Sequence, residues 1–152
     1  MLQLAIFSQL TLLSGTADIL LLILIAWTIH DRSRSSWIWA VIGGGFLSVI
    51  SAIPAGVPLV VYLIVVGLVR VFSQRTLEIP ILGMLIATIL GTMIQKLLEM
   101  AVLVITGYPM PLGEGFVLVA MPSALLNLFF SLPVYALMTD LARWVFPIEV
   151  QL

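Results

Sequence analysis

Lys96 and Glu99 stand three residues apart in the stretch QKLLEM (95–100), inside an otherwise apolar run from Ile79 to Ile105. On a helix that spacing puts the two side chains on one side, close enough to pair. Asp18 opens a second apolar run, so these three residues are the candidate charge cluster of the chain. Such a cluster has three uses: an ion pair that holds helices together, one step of a proton or ion relay, or a charge reserved for another protein. Asn127 lies between Pro122 and Pro133 in a third apolar run. Its amide needs a partner, and the expected one is a backbone carbonyl freed by Pro122 or its neighbours, with a ligand as the alternative.

Other chemistry is sparse. The chain has no GxSxG, HExxH or Walker loop, and no set of residues at metal-ligand spacing. The single histidine, His30, stands beside Asp31 and Arg32 and is expected in a polar loop. Cysteine is absent, which removes disulfides and thiolate metal sites and leaves few candidates for nucleophilic catalysis. The GGG at 43–45 is followed by hydrophobic residues, so it suits helix packing rather than a phosphate cradle. No catalytic residue, metal or cofactor is expected, and the chain is not expected to be an enzyme.

The solvent around the charges follows from composition. Of the 152 residues, 62% are hydrophobic and only 9% charged, with a mean hydropathy of +1.28. A soluble domain carries roughly 25% charged residues. Six basic and seven acidic side chains are too few to hydrate a globule of this size. The composition is that of an integral membrane protein in a single domain, 1–152. A net charge of −1 offers no footprint for nucleic acid.

Lipid admits only segments that satisfy their own backbone, so the positioning elements must be helices of about 20 apolar residues. Polar or Pro/Gly-containing breaks fall at HDRSRSS (30–36), SAIPAGVP (51–58), SQRTLEIP (73–80) and GYPMPLGEG (107–115). They leave runs at 17–29, 37–52, 57–72, 80–106 and 116–146, plus a short piece, Leu2–Leu13. The expected fold is all-α, a compact bundle of about six transmembrane helices of uneven length. The short first piece lacks a basic region and a clear cleavage site, so it is not expected to be a signal peptide. It is expected to be a half-helix buried by its neighbours, or the end of a longer helix.

Arg32 and Arg34 share one break, Arg70 and Arg75 flank another, and Arg143 ends the last run. Placing these inside satisfies the positive-inside rule, with 51–58 and 107–115 outside and both termini cytoplasmic. At about 1.5 Å per residue, Lys96 and Glu99 then lie beyond the midplane towards the outside, at a depth similar to Asp18. An unpaired charge there costs at least about 2.5–3.5 kcal/mol, which favours pairing. The inner half has no comparable charges, so the leading expectation is a packing cluster near the outer interface. Gly44, Ser48 and Ala52 recur every four positions, as do Ala87, Gly91 and Gln95. Such stripes let helix backbones approach, inside the bundle or against a partner. Pro122 and Pro133 predict a kink or split in the last run.

Three stretches together resemble the bacterial rod-shape-determining membrane protein family MreD: ADILLLILIAW (17–27), WAVIGGGFLSVISAIPAG (39–56) and MPSALLNLFFSLPVY (121–135). Asp18 matches the acidic start of the family's Leu-rich helix, although Ala17 replaces its proline. Ser51, Pro54 and Gly56 match the end of its Gly-rich helix, while Ser48 stands where the family has aspartate. Pro122 and Asn127 match its proline and asparagine five residues apart. The resemblance spans nearly the whole chain from Ala17 onward. It implies a fold similar to the six-helix substrate-binding subunits of energy-coupling-factor vitamin transporters. It also implies a non-enzymatic subunit of the cell-elongation (rod) complex in the bacterial inner membrane, where it would help control peptidoglycan synthesis and cell shape. The implied partners are the bitopic protein MreC, the glycosyltransferase RodA, a class B penicillin-binding protein, the actin-like MreB and membrane lipid. The alternative is the ligand-binding membrane subunit of a vitamin transporter, which should hold a polar, aromatic-lined outer pocket.

Overall fold

The computed structural model describes residues 16–30, 35–50, 56–75, 79–108 and 111–146. The short piece at 2–13, the arginines at 32 and 34, and the motif residues Ser51, Ala52 and Pro54 lie outside the described residues. Every regular element among those described is helical. In chain order these are α1 (Ile19–His30), α2 (Ser36–Ile50), α3 (Val57–Arg75), α4 (Pro80–Ile105), the single turn α5 (Leu112–Gly115), a π-helical turn (Phe116–Ala120) and α6 (Met121–Val145). Pro80–Ile105 and Gly113–Val145 are long and apolar enough to cross a membrane. The helices at 19–30, 36–50 and 57–72 are apolar but shorter.

Boundaries follow local chemistry. Asp18 caps α1, its Oδ1 accepting the Leu21 N–H at 2.9 Å. Pro80 occupies the first turn of α4, where its missing N–H costs nothing. The other end of α4 closes through Gly107, whose φ of +92° suits a residue without Cβ. There the Tyr108 N–H reaches Leu103 O and the Gly107 N–H reaches Val104 O, the paired bonds of a Schellman ending. Two breaks are shorter than the sequence predicts. Helix α3 runs on through Ser73, Gln74 and Arg75, since none of these stops a helix as Pro80 does. The break at 107–115 becomes helical from Leu112, because Pro111 suits a helix start and its carbonyl accepts the Gly115 N–H.

The expected interruption of the last run takes the form of a change in helix type. Pro122 has no N–H to donate back four residues. Just ahead of it the turn widens, and the Met121 N–H bonds Phe116 O. Pro133 lies within α6, which continues past it.

Helix α1 is the axis of the packing and touches α2, α3, α4 and α6. Its Leu21, Leu22, Leu24, Ile25 and Ala26 are all buried, so it is apolar around its circumference rather than along one stripe. Around it pack Tyr62, Val65 and Val66 from α3, Met84 from α4 and Val134 from α6. The outer face is greasy as well: Ile38, Phe46, Val49, Phe129 and Leu137 are each more than half exposed. Where α2 crosses α3, a Cβ on Gly44 would sit 2.6 Å from Leu59 Cα, so that crossing requires glycine. Ser48 turns its hydroxyl onto Gly44 O at 2.7 Å.

Candidate functional site

The polar cluster forms where α1 and α3 begin and α2 ends, against the later part of α4. Asp18 is its hub. Oδ1 accepts from the Leu21 N–H and, at 3.0 Å, from the Tyr62 hydroxyl. Oδ2 accepts from the same hydroxyl at 2.9 Å and from Gln95 Nε2 at 2.8 Å. Every partner is a donor, as a carboxylate requires. Gln95 Nε2 also donates to Glu99 Oε1 at 3.1 Å, so one amide links the two acidic side chains. Lys96 Nζ donates to Glu99 Oε2 at 2.8 Å. The Lys96 and Glu99 side chains are 9% and 13% exposed, too little for bulk water to hydrate either charge. Pairing therefore carries the burden of keeping both in place.

The cluster continues towards α6. Asn127 Oδ1 accepts the Asp18 N–H at 2.8 Å, and Asn127 Nδ2 donates to Thr92 Oγ1 at 2.9 Å. This corrects the expectation of a backbone carbonyl freed by Pro122: the amide joins three helices instead of repairing its own. Ser123 Oγ, one turn earlier, accepts the Thr16 N–H at 3.0 Å. A cleft of about 270 Å³ opens beside these groups, lined by Asp18, Gln95, Lys96 and Glu99 with Leu47 and Pro58. One buried side-chain atom among the described residues has no hydrogen-bond partner, and it is Gln95 Oε1.

Compared with protein-family models, curated proteins and solved structures, the chain has no match. The site therefore stands on its own geometry. Among the described residues no group of three His, Cys, Asp or Glu side chains could hold a metal ion. The arrangement fixes charge through paired donors and acceptors and leaves a cleft beside them.

His30 is not in a loop. It ends α1, its Nδ1 2.8 Å from Ala26 O and its Nε2 3.2 Å from Thr139 Oγ1, with the ring 5.1 Å from that of Tyr135. The Thr139 hydroxyl also reaches Tyr135 O, 2.7 Å away, so its single proton serves that carbonyl or the ring but not both. This contact joins α1 to α6 at the end remote from the cleft.

Asp18, Lys96, Glu99 and Asn127 were legible as candidates; Tyr62, Thr92, Gln95 and Ser123 were missed as parts of one site. A signal existed. Thr92, Gln95, Lys96 and Glu99 recur at helical spacing along α4, as do Ser123 and Asn127 along α6. Tyr62 carries no such signal.

The small residues separate by role. Gly44 lies inside a helix crossing. Gly91 is buried, with the place of a Cβ 3.2 Å from Val65 Cγ1 and 3.3 Å from Ile25 Cδ1. Gly83, Ala87 and Gly91 line an open apolar groove of about 180 Å³ between α3 and α4, whose walls include Leu68, Phe72 and Leu90. Gly56 precedes α3 with a φ of +96°, a conformation that explains the glycine there.

Proposed function

We propose that this chain is a six-helix scaffold of the bacterial cytoplasmic membrane, of the MreD kind, that buries the transmembrane helix of a bitopic MreC-like partner. Through that contact it would join RodA, a class B penicillin-binding protein and MreB in controlling peptidoglycan synthesis and cell shape. The observation that carries the reading is the groove between α3 and α4, with Gly83, Ala87 and Gly91 at four-residue intervals. Association in lipid lacks the water-driven hydrophobic force, so it depends on small residues that bring backbones into van der Waals contact. The exposed apolar helix faces and short interhelical breaks leave little surface for contacts outside the membrane. The resemblance to MreD supplies the identity of the partner, and the chain works there without catalysing a reaction.

The test is co-purification of the tagged protein with an MreC-like partner from native membranes. Ala87→Leu puts a longer side chain into the groove and is expected to abolish partner recovery while the isolated protein keeps its melting temperature. A lipid chain in the groove would instead leave partner recovery unchanged in that variant.

A second reading, a vitamin-binding transporter subunit, is favoured by the polar cleft at Asp18 and Glu99. Among the described residues no aromatic side chain lines that cleft, which weighs against it. Tight vitamin binding by a protein that never retains an MreC-like partner would establish this second reading.

A further inference from the structure

We propose that the cleft beside Asp18 and Glu99 binds a protonated primary amine, the ammonium lying between Glu99 and Gln95. Three observations converge. Among the described residues the cleft holds the carboxylates of Asp18 and Glu99 and the ammonium of Lys96, an excess of one negative charge. Gln95, 6% exposed, leaves Oε1 without a donor. Its amide cannot be turned round to repair this, because Nε2 is held by carboxylate oxygens on both sides and Oε1 in its place would oppose acceptor to acceptor. Lys96 is the next residue on the helix and points about 100° away, so its charge is directed to Glu99 and not to Oε1.

A ligand that answers both the excess charge and the unpaired oxygen carries a positive charge and an N–H. A primary ammonium has both; a quaternary ammonium has only the charge, and water only the donor. The cleft's volume of about 270 Å³ exceeds the roughly 30 Å³ of one water several-fold, leaving room for the ammonium and the carbons behind it. Leu47 and Pro58 give those carbons an apolar wall. The amine can arrive as a phospholipid headgroup or as a small soluble molecule. The inference is independent of what occupies the groove between α3 and α4.

The experiment uses the full chain in detergent, stripped of lipid, and measures its thermal unfolding. The probes are phosphatidylethanolamine, phosphatidylcholine with the same acyl chains, ethanolamine hydrochloride, and sodium chloride at matched ionic strength. Phosphatidylethanolamine or ethanolamine should raise the melting temperature, while phosphatidylcholine and sodium should not. A response to the lipid alone assigns the source to the membrane, and a response to both amines makes the headgroup sufficient. A response to ethanolamine alone assigns a soluble source. Equal responses to phosphatidylethanolamine and phosphatidylcholine, a response to sodium, or none to either amine would overturn the proposal. Glu99→Gln should weaken the apparent affinity for the amine by at least about tenfold, the loss of one charge-assisted hydrogen bond. Gln95→Lys keeps donors towards both carboxylates and brings its own ammonium. It should fold and no longer respond, which keeps the proposal testable where Glu99→Gln does not fold. An undiminished amine response in Gln95→Lys would overturn it.

Discussion

Lys96 and Glu99 are worth more to each other than either is to the bundle alone. A buried ion pair gains little over an apolar pair of equal volume, yet stripping one partner strands the other charge at about 3–5 kcal/mol. Lys96→Met is therefore expected to lower stability more than the double variant Lys96→Met, Glu99→Gln, measured by thermal unfolding in detergent. Purely additive losses would mean that the two charges ignore each other. The Tyr62 hydroxyl lies 2.9 and 3.0 Å from the oxygens of Asp18, so a cycle of Tyr62→Phe and Asp18→Asn should show a coupling of about 0.5–3 kcal/mol. Charges were legible in the sequence because apolar surroundings make them conspicuous. Tyr62 was not, because a tyrosine is at home in any apolar helix and its partner lies 44 residues away. Gln95 was visible only as a member of a small-residue stripe, although its amide is the link between the two acids.

Glycines decide how the helices approach. Because a Cβ at position 44 would overlap the backbone of α3, Gly44→Leu is expected to unfold the protein in detergent. The loss should exceed that of Ala87→Leu, whose side chain enters open groove. Circular dichroism and size-exclusion chromatography of the two variants would reveal the reverse order if the crossing were loose. Helix positions were legible from apolar runs and from Pro80, since both act within a few residues. The extra turn of α3 and the helical start at Leu112 were not, because polar residues can end a helix or continue it. Nor was the π turn, which depends on how the bonds before Pro122 are shared out.

At the scale of the whole molecule, the proposed orientation makes a direct claim. In intact cells a cysteine placed at Glu114 should react with an impermeant maleimide, while one at Asp140 should react only after the inner face is opened. The opposite pattern would invert the bundle and every depth assigned to the cleft. The order of synthesis raises a further point. Helix α1 emerges from the ribosome well before α6, yet the amide that accepts the Asp18 N–H belongs to a residue 109 positions later. Tyr62 and Gln95 arrive between the two, 44 and 77 positions after Asp18. A twelve-residue helix spans about 18 Å, short of the hydrocarbon thickness. The nascent chain must therefore hold α1 until Tyr62 and Gln95, which satisfy the acid, and then Asn127, which accepts its N–H, have been made. Chains arrested before Asn127 should leave α1 loosely held and accessible to protease, and release past that residue should lock it. Helix α6, made long after α1, is the one that completes it.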